Sequence, residues 1–134
     1  MEPTGSLKDM TFINDIPEIN TVTLRFNDTL NIGYKDTLSN LWENLWITFD
    51  LLLEDSRCAI DAVCTWEGNA CLSFEVCKNK HNYSILLNTN NAFNIDTIIS
   101  NYRISLIEVL PIKYSDSLYT PDDYVARISV IKQF

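Results

Sequence analysis

Leu45-Trp-Ile-Thr-Phe-Asp-Leu-Leu-Leu-Glu54 places apolar side chains at every second position. Leu45, Ile47, Phe49, Leu51 and Leu53 fall on one side, with Trp46, Thr48, Asp50 and Glu54 opposite. A repeat of two is that of a β-strand with one face on a core, not of a helix. The same repeat returns across Ala70–Cys77, where Leu72, Phe74 and Val76 share a face, and around Tyr83, Ile85 and Leu87. Toward the N-terminus, Val22, Leu24 and Phe26 alternate with Thr21, Thr23 and Arg25. Asn27-Asp28 then marks a turn, and Leu30, Ile32 and Tyr34 resume the pattern. Toward the C-terminus, Tyr102–Leu110 is apolar on both faces, which suits a central strand, and Pro111 ends it. Tyr124, Ala126, Ile128 and Val130 form a closing strand. Only Leu38–Leu45 has room for a short helical turn. The expected fold is an all-β antiparallel sandwich of about seven or eight strands, with a small β-barrel as the alternative. Residues 1–20 read as a polar N-terminal tether and 21–134 as a single β-sandwich domain.

The 134 residues are 46% hydrophobic and 21% charged, a globular composition that excludes wholesale disorder. Ten Lys and Arg against 18 Asp and Glu give a formal charge of −8, and no basic cluster offsets it. Such a surface repels phosphate backbones, so nucleic acid is not expected as a partner. The three glycines, Gly5, Gly33 and Gly68, are too dispersed for a phosphate-binding loop. One histidine, His81, leaves no His-based metal site or relay, so no metal and no cofactor are expected. No apolar run reaches the length of a membrane span, and the first residues lack the basic and apolar regions of a signal peptide. Either the chain is cytosolic, or Glu2–Asp9 begins the tether of a mature exported domain whose signal or lipid anchor precedes it.

The cysteines bear on that choice. Cys58, Cys64, Cys71 and Cys77 are spaced unlike the C-x2-C pairs of zinc sites. If 70–77 is a strand, Cys71 and Cys77 stand about 20 Å apart, far beyond the ~5.5 Å between Cα atoms that a disulfide needs. Cys58–Cys64, closing a short irregular loop, is the expected bridge. Cys71 and Cys77 are then free thiols, or one reaches a neighbouring strand. An oxidised loop points to an extracytoplasmic compartment, periplasm or cell surface.

Several residues invite chemical readings. Glu54, Asp55, Asp61 and Glu67 offer carboxylates for a hydrolase acting on envelope polysaccharide, but nothing in the sequence fixes their separation, and turn capping with Arg pairing is the preferred reading. Asp116, Asp122 and Asp123 lack the spacing of a calcium loop and read as solvated acids. Cys64 or Cys71 as a nucleophile would need His81 as its base, and a structural thiol is the simpler reading. Trp42, Trp46, Trp66, Tyr114 and Tyr119 include candidates for a sugar-stacking platform, although Trp more often packs.

Residues 54–70, Glu-Asp-Ser-Arg-Cys-Ala-Ile-Asp-Ala-Val-Cys-Thr-Trp-Glu-Gly-Asn-Ala, stand out. They resemble the hallmark of a family of small uncharacterised bacterial exported proteins, many of them lipoproteins: E-D-S-R-C-P, four residues, then C-x-W-x-G-x-A. Asp55, Ser56, Arg57, Cys58, Cys64, Trp66, Gly68 and Ala70 match in order and spacing. Weaker echoes are the strand 45–53, Leu106–Pro111 and Asp123-Tyr-Val-Ala126, so the likeness spans roughly residues 45 to 132. Ala59 stands where the family has Pro, and Cys71 and Cys77 are additions to its pattern. The resemblance implies an exported β domain with a Cys58–Cys64 bridge, and it carries over no activity and no catalytic residue.

Physically the motif reads as a structural knot. Gly68 supplies a backbone conformation other residues resist, Trp66 a lid over the sheet end, and Asp55 and Arg57 partners for loop carbonyls and amides. Alternatively the rigid loop presents Arg57, Asp61 and Trp66 to a partner, a protein or a carbohydrate. The expected function is a non-enzymatic binding or accessory role at the cell envelope, with the polysaccharide hydrolase as the competing class.

Overall fold

The structure is a computed structural model that describes residues 21–133, with only the backbone for Thr21 and Val22. The expected tether, residues 1–20, lies outside the described residues, as do the Val22 side chain and Phe134. Nine strands run in chain order: β1 (Thr21–Thr23), β2 (Thr29–Gly33), β3 (Thr37–Asn40), β4 (Leu45–Asp55), β5 (Ala70–Lys78), β6 (His81–Asn88), β7 (Asp96–Ile99), β8 (Tyr102–Leu110) and β9 (Val125–Lys132). They form two open sheets, in the orders β1-β3-β4-β5-β6 and β2-β9-β8-β7. Every pairing is antiparallel except β1 on β3. The fold is the expected β-sandwich, and neither sheet closes into a barrel.

The inner faces meet in one core. Leu45, Ile47 and Phe49 of β4 and Leu72, Phe74 and Val76 of β5 are buried together with Tyr102, Ile104 and Leu106 of β8 and Ala126, Ile128 and Val130 of β9. Phe49 stacks at a tilt on Phe74, centroid to centroid 5.5 Å, and meets Tyr34 edge-on at 5.3 Å. The β5–β6 hairpin turns through Asn79 and Lys80, both in the left-handed region at φ 50° and 69°, the conformation of a two-residue hairpin loop.

Two strands correct the period-two reading. Phe49 pairs with Phe74, but Leu51 pairs with Ser73, so Asp50 is an extra residue that shifts the phase. Leu52 therefore packs against the core, while Leu51 and Leu53 are exposed rather than continuing the buried series. A second irregularity between Leu52 and Glu54 turns Asp55 inward opposite Ala70. In β8, Ile107 is the extra residue between Leu106 and Glu108. The strand is central in its sheet as expected, yet its outer apolar residue is solvent-exposed: the bulge, not two-sided burial, accounts for its pattern. Leu38–Leu45 is no helical turn; it supplies the end of β3, a turn and the start of β4. Strand β7, unread in the sequence, pairs with β8 at the sheet edge.

Candidate functional site

Residues 56–69 form the long connection between β4 and β5, at the end of the sandwich that also gathers 89–95 and 111–124. Its base is zipped by the backbone: the Ser56 amide donates to the Asn69 carbonyl at 2.7 Å, and the Cys58 amide to the Glu67 carbonyl at 2.9 Å. Gly68 sits at φ +75°, and a Cβ there would come within 1.9 Å of the Ser56 carbonyl oxygen. Only glycine permits that approach. Beyond the zipper, the Cys58–Cys64 disulfide closes the loop with Cα atoms 6.1 Å apart. Cys71 and Cys77 are free thiols.

Asp55, aimed inward by the second irregularity of β4, is the centre of a clasp. Arg57 donates to it from Nε at 2.7 Å and from Nη2 at 2.9 Å, and the Tyr124 hydroxyl donates at 2.5 Å. Arg57 also donates from Nη1 to the Val109 carbonyl of β8 at 2.7 Å and from Nη2 to the Pro111 carbonyl just past that strand at 3.1 Å. Lys113 Nζ donates to the backbone carbonyl of Asp55 at 2.8 Å. Burial alone would raise the Asp55 pKa, but the hydrogen bonds from Arg57 and Tyr124 outweigh it and hold the carboxyl below its ordinary range. Burial and the hydrogen bond to Asp55 push Tyr124 up to about 12. The expectation that Asp55 and Arg57 serve loop groups is met in two places: Arg57 donates to the Pro111 carbonyl, and Asp55 accepts from the Arg57 amide at 3.3 Å.

The rest of this end is cross-braced. Ser115 donates to Asp61 from its amide at 2.9 Å and from its hydroxyl at 2.8 Å, which keeps the Asp61 pKa low. The Ile60 amide donates to the Lys113 carbonyl at 2.8 Å. Three buried asparagines, which the sequence reading passed over, pin the third loop. Asn69 Nδ2 donates to Asn88 Oδ1 at 2.9 Å, Asn90 Nδ2 to the Gly68 carbonyl at 2.9 Å, and Asn88 Nδ2 to the Asn94 carbonyl at 2.9 Å. For Asn88 and Asn90 the only advance signal is the asparagine-rich run of 88–94, which reads as an ordinary loop, and Asn69 has none.

The proposed presenting residues part company here. Arg57 is turned into the clasp, with 15% of its side chain accessible, so it is not a surface contact. Asp61 is exposed but bound to Ser115. Trp66 is 51% exposed and meets Phe93 edge-on at 6.4 Å, so it is a half-open loop aromatic and not the expected buried lid. The loop reaches its rigidity through backbone, disulfide and asparagine contacts, and the indole is left free of the sheet. The sugar platform does not assemble as a unit either. Trp42, 97% exposed, lies before β4 and Trp66 after it, at opposite ends of a strand of 11 residues.

A pocket of about 260 Å³ opens beside the disulfide loop, lined by Ile60, Ile107, Val109 and Ile112 together with Cys58, Thr89 and the charged Arg57, Glu108 and Lys113. The loops at this end of the sandwich expose Val63, Trp66, Phe93, Tyr114 and Leu118. Among the described residues no group of three or more His, Cys, Asp or Glu side chains is placed to hold a metal ion. No helix among them is long and apolar enough to cross a membrane. Compared with known proteins, the chain matches no family model, no curated protein and no solved structure.

Proposed function

We propose that the chain is a non-catalytic, exported β-sandwich module with a binding or accessory role at the cell envelope. One observation carries the reading: a braced loop end holds exposed apolar side chains at fixed positions, with Val63 and Leu118 almost fully in solvent. Large apolar tips on rigid loops lose free energy to water and regain it on contact with a partner. The disulfide is compatible with an oxidising compartment, and the likeness of residues 54–70 to exported proteins supports the same location.

The hydrolase alternative finds less support. A glycosidase general acid needs a raised pKa, whereas Asp55 and Asp61 are both held low by hydrogen bonds within the fold. Glu54 accepts a hydrogen bond from Ser56.

Photo-crosslinking in the native host tests the proposal. A photoreactive residue at position 63 should yield a discrete adduct in the envelope fraction, and one at Ser84, on β6 away from the loops, should not. Release of reducing ends from envelope polysaccharide by the purified protein, abolished in Glu67→Gln, would replace this reading with the enzymatic one.

A further inference from the structure

The end of the sandwich opposite the disulfide loop carries a tryptophan that the fold leaves in water. We propose that the cleft beside it, at the β3–β4 turn, binds one ring of a neutral saccharide, with the Trp42 indole as its stacking plane. The cleft measures about 210 Å³ and is lined by Thr23, Ser39, Asn40, Leu41 and Trp42. That is below the ~300–1,000 Å³ of drug-sized sites, and it suits a single sugar unit. Trp42 is 97% exposed. Burying a Trp removes about 150–250 Å² from water, so this indole has nearly all of that area left to cover. The backbone that carries it is fixed. Asn40 uses both ends of its amide, donating to the Leu24 carbonyl at 3.1 Å and accepting from the Glu43 amide at 3.2 Å. The Asn44 amide donates to the Leu41 carbonyl at 3.2 Å, so little backbone ordering remains for binding.

The lining selects the class of ligand. Thr23 and Ser39 are register partners on neighbouring strands, and Ser39 pairs on its other side with Trp46. Leu38 and Ile47, one place along, are buried in the core, so this row lies on the outer face of its sheet. The Thr23 and Ser39 hydroxyls have no hydrogen-bond partner among the described residues. None of the five lining residues is charged, on a chain of formal charge −8. Glu43, next along the chain, is engaged by Tyr102 and Lys132. A sugar ring offers apolar C–H faces to an aromatic plane and uncharged hydroxyls to hydroxyl partners. An ion finds no counter-charge in this lining. An apolar protein side chain would bury both hydroxyls without partners, which costs free energy. The cleft lies apart from the loop end, so it holds or fails independently of the binding reading above.

A glycan array of neutral and charged oligosaccharides, probed with the whole protein, tests this. Neutral glycans should be among those retained. The best of them, titrated in solution, should shift the Trp42 indole N–H resonance and the amides of Ser39 and Leu41, and its affinity should not change with salt. Trp42→Ala should weaken it by roughly tenfold or more, while Trp42→Phe keeps most of the affinity because a stacking ring remains. Both variants should melt like the native protein, since the side chain is exposed. Co-sedimentation with isolated cell-wall polysaccharide, lost in Trp42→Ala, would place the ring on an envelope polymer; array binding without it would mean a soluble sugar. An array that retains no neutral glycan, resonance shifts confined to another face, or full affinity in Trp42→Ala would overturn the proposal. An adduct from position 63 in cells alongside any of these failures leaves the loop-end reading standing and removes only this site.

Discussion

The Tyr124 hydroxyl donates to the Asp55 carboxylate at 2.5 Å across 69 residues of chain, joining the end of β4 in one sheet to the start of β9 in the other. The opposite end of the sandwich repeats the device with different residues. The Tyr102 hydroxyl of β8 donates to Glu43, in the turn before β4, and Lys132 donates to the same carboxylate at 2.9 Å. Lys78 donates to the Glu43 backbone carbonyl. Each end thus carries a carboxylate that binds a tyrosine and a cation, and each ties the turn or strand flanking β4 to the facing sheet. The hydrogen bonds from Tyr102 and Lys132 keep Glu43 ionised to lower pH than usual. The core provides most of the stability, and the clasps fix how the sheets are joined at their ends.

Asp55→Asn should cost about 3–5 kcal/mol near neutral pH, because it leaves a mostly buried Arg57 without its counter-charge. The Asp55 pKa is lowered in the fold, so its contribution is full above the ordinary value of ~3.9 and is lost as pH falls through the lower folded value. Urea titrations should show the gap between the native protein and the variant narrowing as pH falls below the ordinary aspartate range. A gap independent of pH would mean that the carboxylate is not what the clasp depends on.

The tyrosine side of the same clasp titrates in the opposite sense. Tyr124 is raised to about 12, so its contribution is intact below the ordinary ~10 and disappears as pH climbs through the folded value. Stability of the native protein should fall across that alkaline window, and Tyr124→Phe should remove this step. Absorbance of the phenolate during alkaline titration reports the event directly.

Tyr102→Phe should cost about 0.5–1.5 kcal/mol, since Lys132 remains on Glu43. Combined with Asp55→Asn it should be additive within ~0.5 kcal/mol, because the two clasps lie at opposite ends of β4 and share no partner. A larger coupling in denaturant melts would show that the ends communicate through the sheets.

Gly68→Ala should destabilise by about 3 kcal/mol or more, through its positive φ and the overlap of a new Cβ with the Ser56 carbonyl. Trp66→Ala, by contrast, should cost less than about 1 kcal/mol because the indole is half in solvent, whereas Phe49→Ala in the core should cost about 3–5 kcal/mol. A thermal shift for Trp66→Ala as large as that for Phe49→Ala would place the indole in the packed interior.

Replacing both Cys58 and Cys64 by Ser should lower stability by about 2 kcal/mol, the loop-closure value for so short a loop. Without reductant, a thiol reagent should label only Cys71 and Cys77 in the folded protein. Burial, with Glu54 nearby, raises the Cys71 pKa, so that site should react slowly near neutral pH. Labelling of Cys58 or Cys64 would show that the bridge is absent.

The β-sandwich was legible in the alternation of Leu45, Ile47 and Phe49, of Leu72, Phe74 and Val76, and of Tyr124 through Val130, because strand geometry imposes a period of two wherever one face meets a core. The Cys58–Cys64 bridge was legible because those two cysteines close a short irregular loop, while strand β5 excludes only the pairing of Cys71 with Cys77. Gly68 was legible as a backbone requirement. What the period could not carry was the extra residue. Asp50 and Ile107 occupy bulges that look like uninterrupted pattern, yet they reverse which neighbours are buried. The irregularity after Leu52 also turns Asp55 toward Arg57 and Tyr124, and no local pattern announces a hydrogen bond between residues 69 positions apart. Trp66 was misread for the same reason: its size argues for burial, but whether a loop indole finds a surface to cover depends on where three distant loops converge. Local propensity and periodicity act between near neighbours along the chain, and clasps, pockets and exposed tips arise between segments that only folding brings together.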